Sequence, residues 1–370
     1  MTAADLPDPN QVEGAPHPRD TTRLIGQARA EAGFLEAFTT GRLHHGWLLT
    51  GPRGVGKATL AWRIARFLLA TPEDDGGFFG APPTPETLDI GADHPVARRI
   101  AAQSESRLFL LKRGPNDKET ALSADIRVGD VRKLKSFLHL SAAEGGRRVV
   151  IVDAADDLNT AAANALLKLL EEPPAGVTFL LVAHQPAGLL PTIRSRCREL
   201  RLGTLAAEPM AAALAQAGAE TDNPAALAAL SGGSVGEAIR LTNLDGLAQY
   251  ARLTGLMDSL PRLDRPRALN LADQVAGKAN EARFDLTLGL IELFLARLAR
   301  AGVAGPATPE AAPGEAALMA RLSPSPAHAR HWAGLHQRLG ARARHGRAVN
   351  LDPAALVMDM VLEITEAALA

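Results

Sequence analysis

One stretch limits the possible folds more than any other: Trp47 to Ala70, WLLTGPRGVGKATLAWRIARFLLA. Trp47, Leu48 and Leu49 read as a buried strand, a glycine-rich turn follows, and a helix then carries Leu60, Ala61, Ile64, Ala65, Leu68 and Leu69 on one face. Strand, glycine turn and helix in that order make a phosphate-binding loop. Gly51, Gly54 and Gly56 let the backbone curl so that its N–H groups converge, and the helix N-terminus adds the positive end of its dipole. Lys57 is placed to reach the β- and γ-phosphates of ATP, or the β-phosphate of ADP. The full pattern, G-x-x-x-x-G-K-[ST], next asks for a hydroxyl to hold Mg²⁺, and the residue there is Ala58. Nucleotide binding is therefore expected to outlast hydrolysis.

A second nucleotide signature lies downstream. Val149-Val150-Ile151-Val152-Asp153 is a short apolar, β-branched run ending in a carboxylate, the form of a buried parallel strand whose acid faces the phosphate site. Asp153 is placed for the Mg²⁺ shell, but the next residue, where a water-activating Glu would stand, is Ala154. Buried strands are also expected at Leu108–Leu111 and Thr178–Val182. Helices are expected near 21–43, 96–102 and from Arg127 onward, with another at 160–172 stopped by Pro173-Pro174. Beside the loop, Leu24-Ile25-Gly26-Gln27 is read equally as cover for a purine or as ordinary packing. The arginines of LLPTIRSRCRELR, from Leu189 to Arg201, form either a solvated surface or a basic element offered to another subunit's phosphates.

The length of 370 residues calls for two or three domains. A disordered arm over 1–20, an α/β core over 21–203, a small helical domain over 204–244 and a helical C-terminal part over 245–370 are expected, with a flexible stretch near 301–317. The segment 71–93, rich in Pro, Gly and acids, reads as a long excursion. With 40 Lys+Arg against 41 Asp+Glu, no whole-chain field attracts nucleic acid, and any such contact must be a local patch. A single cysteine, Cys197, excludes an internal disulfide and a Cys-rich zinc site, so no metal centre is expected, and a reducing, cytoplasmic setting fits. The acidic, proline-rich N-terminus is neither a signal peptide nor a membrane span, and no apolar run approaches the roughly 20 residues of a transmembrane helix.

The order of these parts resembles the AAA+ clamp-loader subunits of bacterial DNA polymerase III. The pieces that carry the resemblance are His45-Gly46-Trp47-Leu48-Leu49, the P-loop, the Asp-ended strand, NALLKLLEEPP (Asn164 to Pro174), His184-Gln185-Pro186 and PTIRSRC (Pro191 to Cys197). They cover about the first 240 residues. The resemblance implies a RecA-like P-loop core with a parallel sheet, an all-α lid and an all-α collar through which five subunits close a ring. It implies tau/gamma motor subunits and a delta subunit as partners, acting on a sliding clamp and primed DNA. It also implies that Arg196, in Ser195-Arg196-Cys197, is an arginine finger on a neighbour's ATP.

The departures from that family point one way. Motor subunits carry Ser or Thr where this chain has Ala58, Glu where it has Ala154, and a lid arginine where Gly233-Ser234-Val235-Gly236 ends in glycine. An ATP-hydrolysing motor subunit or another P-loop ATPase is the alternative, and these three positions argue against it. Many members also carry a four-cysteine zinc module that this chain lacks; His44, His45 and His94 are too scattered to replace it. Arg127 and Arg132 fall where motor subunits touch the DNA backbone, though a solvated helix face is an equal reading of them.

Overall fold

The computed structural model describes residues 8–9, 11–71, 84–140 and 146–369. The chain forms two compact units, one of residues 1–205 with 215–218 and 234–236, the other of residues 206–214, 219–233 and 237–370. The short helices expected as a separate lid fall largely in the second unit, with the C-terminal helices.

The first unit is built on five strands: β1 (Gly46–Thr50), β2 (Leu108–Leu111), β3 (Arg148–Asp153), β4 (Val177–Ala183) and β5 (Arg198–Arg201). They pair in the order β2-β3-β4-β1-β5, all parallel. Parallel neighbours need crossovers, and helices α2 (Lys57–Ala70), α3 (Pro95–Ala101), α4 (Val128–Leu140), α5 (Thr160–Glu171) and α6 (Pro191–Arg194) supply them, while α1 (Ala28–Thr39) precedes β1. Side chains alternate along each strand, so each buried strand feeds two cores. Leu49, Val149, Ile151, Leu180 and Val182 pack under α1, α2 and α3. Leu48, Val150, Val152, Phe179 and Leu181 pack under α4, α5 and α6. A sheet covered on both faces explains the unbroken apolar runs of β1, β3 and β4. The sequence-expected α/β fold is the fold observed.

Register places the site. Leu49 pairs with Val182, and Val182 with Asp153, so the carboxyl ends of β1, β4 and β3 finish side by side. The loop after β1, the end of β3 and His184 after β4 therefore converge at one edge of the sheet. Asn159 caps α5, its side chain accepting from the Ala162 amide at 2.9 Å, and the Pro pair at 173–174 follows the helix end.

Three expectations are corrected here. The arm read as disordered is packed over its described part: His17 is buried, edge-on to Trp62 with ring centroids 5.9 Å apart, and Asp8 accepts from Lys112 Nζ at 2.6 Å. Composition marks such a segment as polar and cannot show the partners that hold it. The helix expected over 21–43 is shorter, because Thr22 to Gln27 instead runs across the sheet edge, where Gln27 Nε2 donates to the carbonyls of Val55 and Gly203. Of the excursion at 71–93, residues 72–83 lie outside the described residues; beyond them Leu88 is buried and Asp89 accepts from Arg63.

The second unit is helical: α7 (Ala207–Gln216), α8 (Pro224–Leu230), α9 (Val235–Asn243), α10 (Gly246–Asp258), α11 (Arg265–Asp273), α12 (Glu281–Ala304), α13 (Glu315–Leu322), α14 (Pro326–Ala348) and α15 (Pro353–Ala367). The first residues of α9 and the last of α7 belong to the first unit. Asn223 caps α8 and Asp352 caps α15, each just before a proline at the first helical position. Its core centres on Tyr250, Ile291, Phe294, Trp332 and Met360. The stretch read as a flexible connection, 301–317, is helical at both ends, and the loop between is tied down. Glu315, 1% exposed, accepts from Arg297 Nε at 2.7 Å and Nη2 at 3.0 Å, from the Tyr250 hydroxyl at 2.5 Å and from the Ala311 amide at 2.7 Å.

Candidate functional site

Lys57 opens α2 and is 3% exposed. Its ammonium donates to the carbonyls of Gly51 at 2.7 Å and Pro52 at 2.5 Å, so the loop folds around its own cation. Burial lowers its pKa to about 8, and Asp153 nearby opposes that shift. Asp153 is as deeply buried, and its Oδ2 has no hydrogen-bond partner. Burial, then the charge of Asp157, raises its pKa to about 7.

The rest of the edge is set by polar contacts after β3 and β4. Asp156 accepts from the backbone amides of His184 and, at 3.1 Å, of Gln185. Asp157 pairs with Arg113 at 3.0 Å. His184 is pushed down to about 4, first by burial and then by Lys57, so its ring is neutral at physiological pH.

A segment far along the chain closes over the loop. The Gly236 amide donates to the Gly54 carbonyl at 3.0 Å, and Ser234 Oγ donates to the Arg53 carbonyl at 2.8 Å. Gly54 has φ +77°, and a Cβ there would stand 2.3 Å from Ser234 Oγ and 3.0 Å from the Gly236 nitrogen. A Cβ on Gly236 would in turn come within 3.0 Å of Gly54 Cα. The place of the absent lid arginine is thus a close backbone-to-backbone contact, where a side chain would force the loop to give way.

At the other edge, Arg196 follows α6. Its Nη2 meets Glu171 Oε1 at 2.8 Å and its Nη1 donates to the Thr192 carbonyl at 3.0 Å, with 35% of the side chain exposed. Glu171 closes α5 just ahead of the proline pair, so the LEEPP block and the Ser-Arg-Cys triplet meet in space. Cys197 is half-buried, and burial pushes its thiol up to about 12, which leaves it unreactive.

Residues 26–206 match the family model described as "DNA polymerase III, delta subunit". Over 201 residues the chain is 38% identical to DNA polymerase III subunit delta' of Pseudomonas aeruginosa, covering 53% of this chain and 55% of that protein. Residues 26–206 belong to the DNA polymerase III clamp-loader family. Subunit delta' of Yersinia pestis is 35% identical over 159 residues, 43% of this chain and 42% of its own. The Mycobacterium tuberculosis gamma/tau subunit is 31% identical over 202 residues, 54% of this chain and 31% of its own. The chain spans about half or less of the length of these relatives. A solved gamma subunit-related protein from Thermotoga maritima covers 90% of this chain and 99% of its own, at 18% identity and a TM-score of 0.36, a likeness too loose to carry an argument.

Within this clamp-loader region the P-loop fits a nucleotide only in part. Lys57 and the loop backbone suit phosphate oxygens. The metal half fits only through Asp153, whose orphaned Oδ2 is open to a ligand: Ala58 has no hydroxyl and Ala154 has no carboxylate. The two arginines read as DNA contacts are not alike. Arg127 is committed to Asp117 and to Ser123 Oγ, whereas Arg132 is exposed on α4. The histidines have structural duties: His94 caps α3, and His45 bonds the Leu170 carbonyl while stacking on His44. Sequence reasoning missed His184 as a half-buried neutral ring and missed the Gly54–Gly236 contact; the paired glycines at 233 and 236 were the available signal.

Proposed function

We propose that this chain serves as the delta-prime subunit of a DNA polymerase III clamp loader, a subunit that does not hydrolyse ATP efficiently but lends Arg196 to a neighbouring motor subunit. The observation that carries the reading is the contrast between its two sites. Its own P-loop keeps the phosphate-binding cation and loses the groups that place metal and attacking water, while Arg196 stands partly exposed at the surface. Removing a water-activating base alone typically costs about 10²–10⁴ in rate. ATP or ADP bound at Lys57 would be held through its phosphates by this side chain and the loop amides. The gamma/tau relatives keep a motor role in view, and Ala58, Ala154 and Gly236 argue against it. The partners of this reading are tau/gamma and delta subunits in a five-membered ring acting on a sliding clamp and primed DNA.

The Arg196 guanidinium stays charged and presents a fork that matches phosphate oxygens. Glu171 holds it ready at the surface, and a γ-phosphate from a neighbour would compete for the same N–H groups. A finger supplied in trans typically contributes about 10³–10⁵ in rate. In a loader reconstituted with tau/gamma and delta, Arg196→Ala should leave assembly intact by gel filtration and sharply slow DNA-stimulated ATP hydrolysis and clamp loading. Normal loading by that variant would remove the finger role. ATP turnover by the isolated chain, abolished by Lys57→Ala, would sink the non-hydrolysing reading.

A further inference from the structure

Helix α14 is the most one-sided charged element of the chain. Its sequence, PAHARHWAGLHQRLGARARHGRA, holds five arginines and four histidines and no acid. Two of the arginines are neutralised: Arg342 pairs with Asp359 and Glu363, and Arg347 with Glu281 and Asp285. Arg330, Arg338 and Arg344 are exposed, and among the described residues none of them makes an ion pair. Arg344 shares the neighbourhood of Gly340 with Glu292 of α12, which offsets part of its charge. At about 100° per residue the three fall within an arc of about 120°, opposite the buried Trp332, Leu335, Leu339 and Ala343. Gly334 and Ala341 lie between them, and the larger residues that share the arc, Gln337 and His345, carry no acid.

We infer that this face of α14 binds the phosphate backbone of duplex DNA, a site separate from the P-loop and from α4. The choice of DNA as the polyanion rests on the proposed replication role; the surface itself does not. From Arg330 to Arg344 the helix rises about 21 Å, the length of roughly six nucleotide steps along one strand. A net charge of −1 for the whole chain means that these cations act as a local patch, the only form in which a near-neutral protein attracts nucleic acid. Guanidinium groups fork onto phosphate oxygens, and a face with no acid imposes no register on a uniformly charged rod. The face has no exposed Phe, Tyr or Trp for base stacking, and contact is with the backbone and independent of sequence.

The test is fluorescence anisotropy of the full isolated chain with a labelled duplex of about 30 base pairs, titrated at several salt concentrations. For two to three phosphate contacts the log–log salt slope is expected near −2 to −3. The triple variant Arg330→Ala, Arg338→Ala, Arg344→Ala should weaken binding about tenfold or more at low salt and shrink the slope by roughly two units, with thermal unfolding unchanged. The corresponding triple Lys variant should keep most of the slope. Substituting Arg127 and Arg132 should leave the α14 decrement in place. Absence of duplex binding by the wild-type chain, an unchanged slope in the alanine triple, or tighter binding of poly-glutamate than of duplex would each overturn the inference. No ring is needed for this measurement, so its failure and a failure of the clamp-loader reading are read separately.

Discussion

At the scale of single residues, the site is defined by small and neutral groups. Gly54 and Gly236 touch through their backbones although 181 residues separate Ser234 from Arg53, their hydrogen-bonded neighbours. Gly54→Ala should therefore destabilise the first unit by about 1–3 kcal/mol in urea unfolding, since both the positive φ and the near backbone resist a methyl group. A cost indistinguishable from zero would show that the segment yields freely. His184 makes the second residue-scale case. Its folded pKa of about 4 lies below the ordinary 6.5, so between those values the unfolded chain binds more protons. Stability contributed by the neutral ring is complete above pH 6.5 and falls as pH drops toward 4, by at most about 3 kcal/mol over the window and by less where solvent screens the half-buried ring. His184→Gln should flatten that part of the stability profile, and an unaltered profile would mean that other groups carry it. The places of Lys57 at the start of α2 and Asp153 at the end of β3 were legible in the sequence because motif chemistry names residue types at fixed spacings. The environments that lower His184 and raise Asp153 were not, since burial belongs to the fold and not to the local string.

At the scale of elements, strands were read more faithfully than connections. The runs at β1, β3 and β4 are apolar because both sheet faces are covered, and that demand is written into every residue of the run. Helix α5 was bounded on both sides by chemistry visible in the sequence, Asn159 as cap and the proline pair as stop. Where an element depends on distant partners, the local string misleads. Thr22 to Gln27 has helical patterning, yet Gln27 spends its amide on the carbonyls of Val55 and Gly203 and α1 begins after it. The N-terminal arm looks floppy by composition, yet Asp8 finds Lys112 and His17 finds Trp62. The Ala- and Pro-rich link after α12 looks flexible, yet the carboxylate of Glu315 gathers four donors around its far end. In each case a polar side chain fixes a segment whose neighbours in sequence carry no apolar pattern.

At the scale of the whole molecule, two units with separate cores set how the chain should unfold. Trp47 and Trp62 lie in the core of the first unit and Trp332 in that of the second. The Arg297–Glu315 pair, 6% and 1% exposed, belongs wholly to the second unit. Removing one partner from a buried, hydrogen-bonded ion pair typically costs about 3–5 kcal/mol because the other charge is stranded. Glu315→Ala should therefore lower the melting of the helical unit by roughly 10 °C, reported by Trp332. The signal of Trp47 and Trp62, read in a Trp332→Phe background, should stay near its wild-type midpoint. Replacing both partners, as Arg297→Met with Glu315→Leu, should recover the part of the loss that comes from the stranded guanidinium, while the Tyr250 hydroxyl and the Ala311 amide still lack their acceptor. If all three tryptophans shift together, the two units unfold as one cooperative body, and the separate cores do not confer independent stability.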